Sequence, residues 1–295
     1  MVEAVGFDVF MDQALYGAQG FYASGRGAGR RGADFITSPE VGPLFGSVVA
    51  NALDAWWRGL GEPEPFVVIE AGAGRGALRD AILAAATAPV DYRSVEFDDR
   101  WPERADVVIA NELLDNLPFK LLERVGGEWV ELLVAGDGFV RGEAVAGFDH
   151  VDAPEGARIP WHNRAQVWLT RALGTAQRVA LVDYGTRTTR ELIDREWLRT
   201  YREHGRGTYA LVDPGSQDIT CDVAFDQLAP HVLTTQADWL RMHGIDALVD
   251  EARAIWTERA AIGDLAALKA RSRVTEADAL LDPSGLGDFL VAEWI

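Results

Sequence analysis

Val67-Val68-Ile69-Glu70-Ala71-Gly72-Ala73-Gly74-Arg75-Gly76-Ala77-Leu78 decides how this chain is read. Apolar residues and one acid run into three glycines at alternate positions, and a helical pattern follows. Glycine has no Cβ and tolerates positive φ, so such a turn lets backbone pack directly against a ligand. The N–H groups that open the next helix favour a polar or anionic ligand group. The stretch therefore predicts a nucleotide-type cofactor turn. Gly72 to Ala77 formally satisfies the dinucleotide pattern G-x-G-x-x-G/A. Such a site also wants an acid about 20 residues on. Glu96 stands 20 residues after Gly76, so a nicotinamide or flavin reading stays open.

Glu70 shifts that balance. An acid two residues before the first glycine faces the bound cofactor, and it is a poor neighbour for a pyrophosphate but a good one for a cation. S-adenosylmethionine carries an ammonium and a sulfonium and no phosphate. The E-x-G-x-G-x-G pattern of Glu70, Gly72, Gly74 and Gly76 thus resembles the first motif of class I methyltransferases. In that reading the glycines let backbone approach the methionine part and the adenosine. Glu96 accepts hydrogen bonds from both ribose hydroxyls. A tight glycine turn with no ligand is the bland alternative.

A second constellation, Ala110-Asn111-Glu112-Leu113-Leu114-Asp115-Asn116-Leu117-Pro118, directly follows the apolar run Val107 to Ala110. Ligands of open α/β sheets bind at the carboxyl ends of strands, which puts Asn111 and Glu112 beside the cofactor. Asp115 follows Glu112 by three, so a single helical turn would bring both carboxylates to one side. Two carboxylates near a methyl donor suit a guanidinium or amine acceptor, by bidentate hydrogen bonds or by orienting a lone pair. Charge compensation at a helix N-terminus is the alternative for this acid pair.

Composition bounds the rest. The 295 residues can bury a sizeable core. One cysteine, Cys221, excludes an internal disulfide and suggests a reducing compartment. No Cys/His cluster has zinc-ligand spacing, and the five histidines show no triad-like placement. No signal peptide or membrane-spanning apolar run stands out, so a cytoplasmic protein without membrane insertion is expected. The net charge of −18 repels nucleic acid and anionic membranes and would attract a basic protein segment, with solubility alone the alternative reading of that charge.

Strands alternating with helices around the glycine turn predict a doubly wound α/β sheet. Strands are expected at 66–71, 92–97, 107–110, 179–185 and 289–294, and helices at 76–87 and 163–176. Two more helices, broken at His243-Gly244, are expected over 235–260. Residues 119–145 read as β-hairpins around Gly126-Gly127 and Asp137-Gly138. Ser38-Pro39-Glu40 reads as an N-cap, a first-turn proline and a dipole-favouring acid, opening a helix that continues to Arg58. Thr188-x-x-Glu191 reads as a capping box.

Together these motifs resemble the MidA family of S-adenosylmethionine-dependent methyltransferases over nearly the full length. The likeness rests on Tyr16-x-x-x-Gly20-Phe21-Tyr22, Asp34-Phe35-Ile36-Thr37-Ser38-Pro39-Glu40 and the glycine motif. It continues through Asn111 to Pro118, Asp183-Tyr184-Gly185 and Asp213-Pro214-Gly215-Ser216-Gln217-Asp218-Ile219-Thr220. The resemblance implies a Rossmann-like methyltransferase core with N-terminal and inserted segments closing over the site. It implies one domain: a lid segment at 1–60, core sheet at 61–118 and 160–190, a hairpin insertion at 119–159, and an added helical region with closing strands at 191–295. It places Thr37 and Ser38 at the cofactor, and Tyr16, Tyr22, Asp34, Phe35 and Glu40 at the substrate or lid. By analogy with the mitochondrial relatives linked to respiratory complex I assembly, the acceptor is a protein arginine held by Glu112 and Asp115.

Only nine residues, 98 to 106, separate Phe97 from Val107. A full methyltransferase core places a helix and a strand there. Either the sheet is trimmed or Glu96 is not the ribose acid. Three functions follow: a protein methyltransferase with arginine favoured, a non-catalytic assembly factor that keeps the fold, and a nicotinamide-dependent oxidoreductase. An exposed tryptophan-rich face among the ten tryptophans would favour a homodimer.

Overall fold

A computed structural model describes residues 4–23, 37–96, 99–202, 205–207 and 209–295. The chain divides into two compact units. One holds Ile36–Glu112, Ala172–Asp183 and His231–Ile295; the other holds Met1–Phe35, Leu113–Arg171 and Tyr184–Pro230.

The unit carrying the glycine turn is an α/β sheet with helices. Its elements are α1 (Ser38–Val41), α2 (Pro43–Gly59), β1 (Phe66–Ala71), α3 (Ala77–Ala85), β2 (Val90–Val95), β3 (Ala105–Asn111) and β4 (Ala176–Asp183). They continue with β5 (Val232–Thr235), α4 (Gln236–Met242), α5 (Ile245–Arg259), α6 (Leu265–Leu280) and β6 (Leu290–Trp294). The six strands lie in the order β5-β6-β4-β3-β1-β2. β2, β1, β3 and β4 are parallel, while β6 is antiparallel to both neighbours. β1 and β3 are apolar runs because central parallel strands are covered on both faces. Phe66, Val68, Val107 and Val291 from the sheet pack with Leu44, Phe45, Val48 and Leu53 of α2 and Ile82 of α3 in one core. Between β2 and β3 the described residues form neither helix nor strand, which leaves β2 at the sheet edge. The sheet is therefore trimmed on the side of Glu96.

Two local expectations change. The helix read from Ser38 to Arg58 breaks at Gly42, whose extended backbone separates α1 from α2 with Pro43 opening the second piece. The N-cap of α1 is Thr37, in a reciprocal capping box with Glu40, and Ser38 is the first helical residue. Pro39 then falls within the first turn, where its missing N–H is no loss. The expected Thr188 box opens only a 3-10 turn, Thr189–Leu192, with no side-chain cap bond to backbone.

The other unit is built on an antiparallel sheet. Val5–Gly6, Glu128–Ala135, Lys120–Val125 and Arg158–Trp161 lie side by side, and Gly138–Ala144 pairs with the second of these. Gly126 and Gly127, both at positive φ, join Lys120–Val125 to Glu128–Ala135 in a two-residue hairpin. The helix Phe7–Tyr16 buries Phe7, Met11 and Leu15 against Phe119, Leu121 and Leu132. A smaller three-stranded sheet joins Leu198–Arg202 to Gly205–Arg206 and Asp218–Cys221. His162 is fully enclosed here and accepts the Ala224 N–H at 3.0 Å. Burial pushes its pKa down to about 3, so it is a neutral packing residue and not a base.

Candidate cofactor and acceptor site

The ends of β1, β2 and β3 build the first constellation. Gly72, Gly74 and Gly76 all have positive φ, 70°, 52° and 77°. Among the described residues, a Cβ added at Gly74 or Gly76 would meet nothing within 4 Å, which leaves open space beside the turn. The Gly72 N–H donates to the Val95 carbonyl at 2.9 Å, which ties the turn to the end of β2. Glu96, the next residue, accepts a hydrogen bond from the Gly74 backbone; partial burial raises its pKa and this bond opposes the rise.

Glu70 is 4 % exposed and accepts the Tyr92 hydroxyl at 2.7 Å. Burial pushes its pKa up to about 7 against that bond, with Glu96 adding to the rise and Arg79 opposing it. An acid held this high is poised to ionise beside a cation.

Asn111 ends β3, and Glu112 follows it with φ 52°. The Glu112 N–H donates to Val182 of β4 at 2.8 Å, which fixes that backbone. The Glu112 carboxylate accepts Asn111 Nδ2 at 2.9 Å and the Ser38 N–H at 3.4 Å. Ser38 is buried and donates its hydroxyl to Gln236 at 2.9 Å; buried Gln236 in turn donates to Leu280 of α6. Thr37 and Glu40 serve as the cap of α1. Among the described residues, Asn111 Oδ1 is buried without a hydrogen-bond partner. An orphaned acceptor of this kind costs about 1–3 kcal/mol, which an ammonium or hydroxyl donor on a ligand would relieve. These acceptors suit a cofactor carrying ribose hydroxyls and an ammonium.

Asp115 is placed differently from the expectation. The left-handed backbone at Glu112 precludes a single helical turn over 112–115, and the 3-10 turn starts at Leu114. Asp115 is buried, and its Oδ2 accepts the hydroxyls of Tyr184 at 2.5 Å and Thr220 at 2.6 Å. Burial raises its pKa, and these bonds oppose the rise.

Beside it, Asp218 accepts the Tyr22 hydroxyl and Asn116 Nδ2, each at 3.2 Å. Burial, then Asp115, pushes Asp218 up to about 7. The Tyr16 ring stacks on that of Tyr22 at 5.4 Å, and its hydroxyl donates to the Asn116 carbonyl. The motifs at Tyr16–Tyr22, Asp115–Pro118 and Asp213–Thr220 thus meet in one polar cluster of their unit. Asp34 and Phe35 lie outside the described residues. Sequence reasoning passed over Tyr92, Gln236, Tyr184 and Asp218 as site residues. For the last two, the Asp183-Tyr184-Gly185 and Asp218-Ile219-Thr220 motifs were the available signal. Among the described residues, no group of His, Cys, Asp and Glu could hold a metal ion.

Comparison with known proteins bears on this geometry. The profile of a family described as "Putative S-adenosyl-L-methionine-dependent methyltransferase" matches residues 87–243. The Drosophila melanogaster "Protein arginine methyltransferase NDUFAF7 homolog, mitochondrial" is 25% identical over 296 residues, covering 78% of this chain and 66% of its own. Its Xenopus laevis counterpart is 24% identical over 278 residues, covering 70% and 61%. The chain thus spans less than two thirds of the length of these relatives. A COG1565 superfamily member from Burkholderia thailandensis, solved bound to S-adenosyl-homocysteine, superposes with a TM-score of 0.79. It is 26% identical, and the match covers 98% of this chain and 87% of that one.

Proposed function

The chain belongs to this family of S-adenosyl-L-methionine-dependent methyltransferases, and on that premise we propose that it methylates a protein side-chain nitrogen, with arginine the favoured acceptor. The observation that carries the proposal is the glycine turn. Three glycines have positive φ and two of them, Gly74 and Gly76, border open space, with the buried acid Glu70 before them and Glu96 bonded to the Gly74 backbone. This arrangement has acids for the cationic and ribose parts of S-adenosyl-L-methionine.

The bound cofactor supplies a methyl group already activated on a sulfonium. The residues have to align the acceptor and keep a lone pair pointed at that carbon. Glu112 is assigned to the acceptor. Asn111 and Ser38 hold its carboxylate in place, and it accepts an N–H of the guanidinium or amine. That bond orients the nitrogen and provides a base for the proton it loses. Asp115, enclosed by Tyr184 and Thr220, is assigned to holding those hydroxyls in its own unit. The arginine preference draws on the names of the curated relatives and on the net charge of −18, which favours a basic acceptor protein.

Titration calorimetry with S-adenosyl-L-methionine and with NAD, followed by mass spectrometry of arginine- and lysine-bearing peptides, tests the reading. Binding of the first and methylation of arginine are expected. Tight NAD binding without S-adenosyl-L-methionine binding would overturn it.

A further inference from the structure

The hairpin of α5 and α6 carries an apolar surface that the core does not use. Its inner side packs Val249 and Ala252 of α5 and Ala267, Ala270 and Ala277 of α6 away from solvent. Its tip points the other way: Ile262 and Leu265 are each 66% exposed, Leu268 58% and Trp256 38%. A Cβ on Gly263, at φ +65°, would meet nothing within 4 Å. The tip is held in shape, because Asp264 caps α6 through the Ala267 N–H at 3.0 Å and pairs with Arg259 at the end of α5. Four large apolar side chains, Trp256 on α5, Ile262 on the turn and Leu265 and Leu268 on α6, are therefore exposed around a braced turn.

Charge identifies the occupant. The chain carries −18 overall, yet residues 253–273 hold five basic and two acidic side chains, of which Arg253 pairs with Asp250 and Arg259 with Asp264. Lys269 and Arg271 are exposed beside the apolar residues, and the Arg271 guanidinium lies 5.8 Å from the Trp256 ring centroid. Exposed Trp, Leu and Ile beside Arg and Lys suit the boundary between lipid headgroups and acyl chains. The net-acidic chain is repelled by an anionic surface, which favours approach through a locally basic tip such as this one. A second copy docked tip to tip would bring the same cations together, which disfavours it.

We propose that the α5–α6 tip is a peripheral docking site for an anionic phospholipid surface. It binds in the interfacial plane, and no helix among the described residues is long and apolar enough to cross a membrane. The site is separate from the methyl-transfer residues.

Co-sedimentation of the full chain with vesicles tests this. One set contains equal parts of phosphatidylglycerol and phosphatidylcholine, and the other phosphatidylcholine alone. Binding is expected only to the anionic vesicles and should weaken as salt screens the cations. The triple variant Ile262→Glu, Leu265→Glu, Leu268→Glu should bind about tenfold more weakly or less. The pair Lys269→Glu, Arg271→Glu should lose binding while leaving the apolar residues in place, with thermal melting checking that both proteins fold. Failure of the native chain to bind anionic vesicles would overturn the proposal. So would equal binding to both vesicle types, or retained binding by the folded triple variant. A dimer in sedimentation that the triple variant dissociates, without vesicle binding, would give the surface to a second copy instead.

Discussion

Tyr92 of β2 donates its hydroxyl to the carboxylate of Glu70 on the adjacent parallel strand β1, at 2.7 Å, just before the glycine turn. The bond couples the buried acid to the sheet edge where the trimmed wall begins. Tyr92 is itself held neutral by burial and by the neighbouring carboxylate.

Glu70 sets a pH dependence with a definite sign. Its pKa is pushed up from the ordinary 4.5 to about 7 in the folded protein. Between those values the unfolded chain has lost the proton and the folded chain keeps it, so stability falls as pH rises through this window. The contribution is roughly 3 kcal/mol at 1.4 kcal/mol per pKa unit. Asp218, also near 7, acts in the same direction. The reading is therefore the difference between the native protein and Glu70→Gln, melted from pH 5 to pH 8. The native protein should lose stability across that range and the variant less. Bound S-adenosyl-L-methionine should flatten the native curve, because its cation stabilises the carboxylate. Parallel curves would remove Glu70 from the cofactor's electrostatics.

Gly74→Val should block the cofactor. Its φ of 52° is strained for a β-branched residue, and the new side chain would fill the open space beside the turn. The strain costs about 1–3 kcal/mol of stability. Calorimetry should show affinity for S-adenosyl-L-methionine falling by more than about tenfold in a still-folded protein. Retained affinity would move the cofactor away from the turn.

The positions of the parallel strands were legible because each apolar run is bounded by a turn signal, as at Glu70–Gly76 and Asp183–Gly185. The trimmed edge was legible too, since nine residues cannot form a helix and a strand. Asp115 was not. Its partners Tyr184 and Thr220 stand 69 and 105 residues away, and nothing local distinguishes an enclosed carboxylate from a presented one. The break at Gly42 was overridden by the apolar stripe that continues across it from Val41 to Val48. Helix α6 was missed for the reason its tip is of interest: Leu265 and Leu268 lie on the outside, so no inward stripe marks it.

Glu112→Gln should separate binding from turnover. The amide keeps the shape and can still accept from Asn111 Nδ2, but it has lost the charge that holds a cationic acceptor and takes its proton. Methyl transfer should fall by about a hundredfold or more, the usual scale of a lost acid–base group. Affinity for S-adenosyl-L-methionine should change by less than about threefold. Unchanged turnover would remove Glu112 from the chemistry.

Gln236→Leu tests how Glu112 is held. Gln236 has no exposed surface; it accepts the Ser38 hydroxyl and donates to Leu280, so it clamps the first turn of α1 to the last turn of α6. The Ser38 N–H is in turn a donor to Glu112. Leucine fills a similar volume but leaves the Ser38 hydroxyl and the Leu280 carbonyl without their partner, at about 1–3 kcal/mol of stability. If the clamp positions Glu112, kcat should drop about tenfold while the KM for S-adenosyl-L-methionine stays near its native value. Gln236→Glu, which keeps an acceptor for Ser38, should recover part of the rate. A loss of stability with native kcat would confine Gln236 to packing, and a change in cofactor KM alone would place the Thr37–Ser38 segment against the cofactor and not behind Glu112.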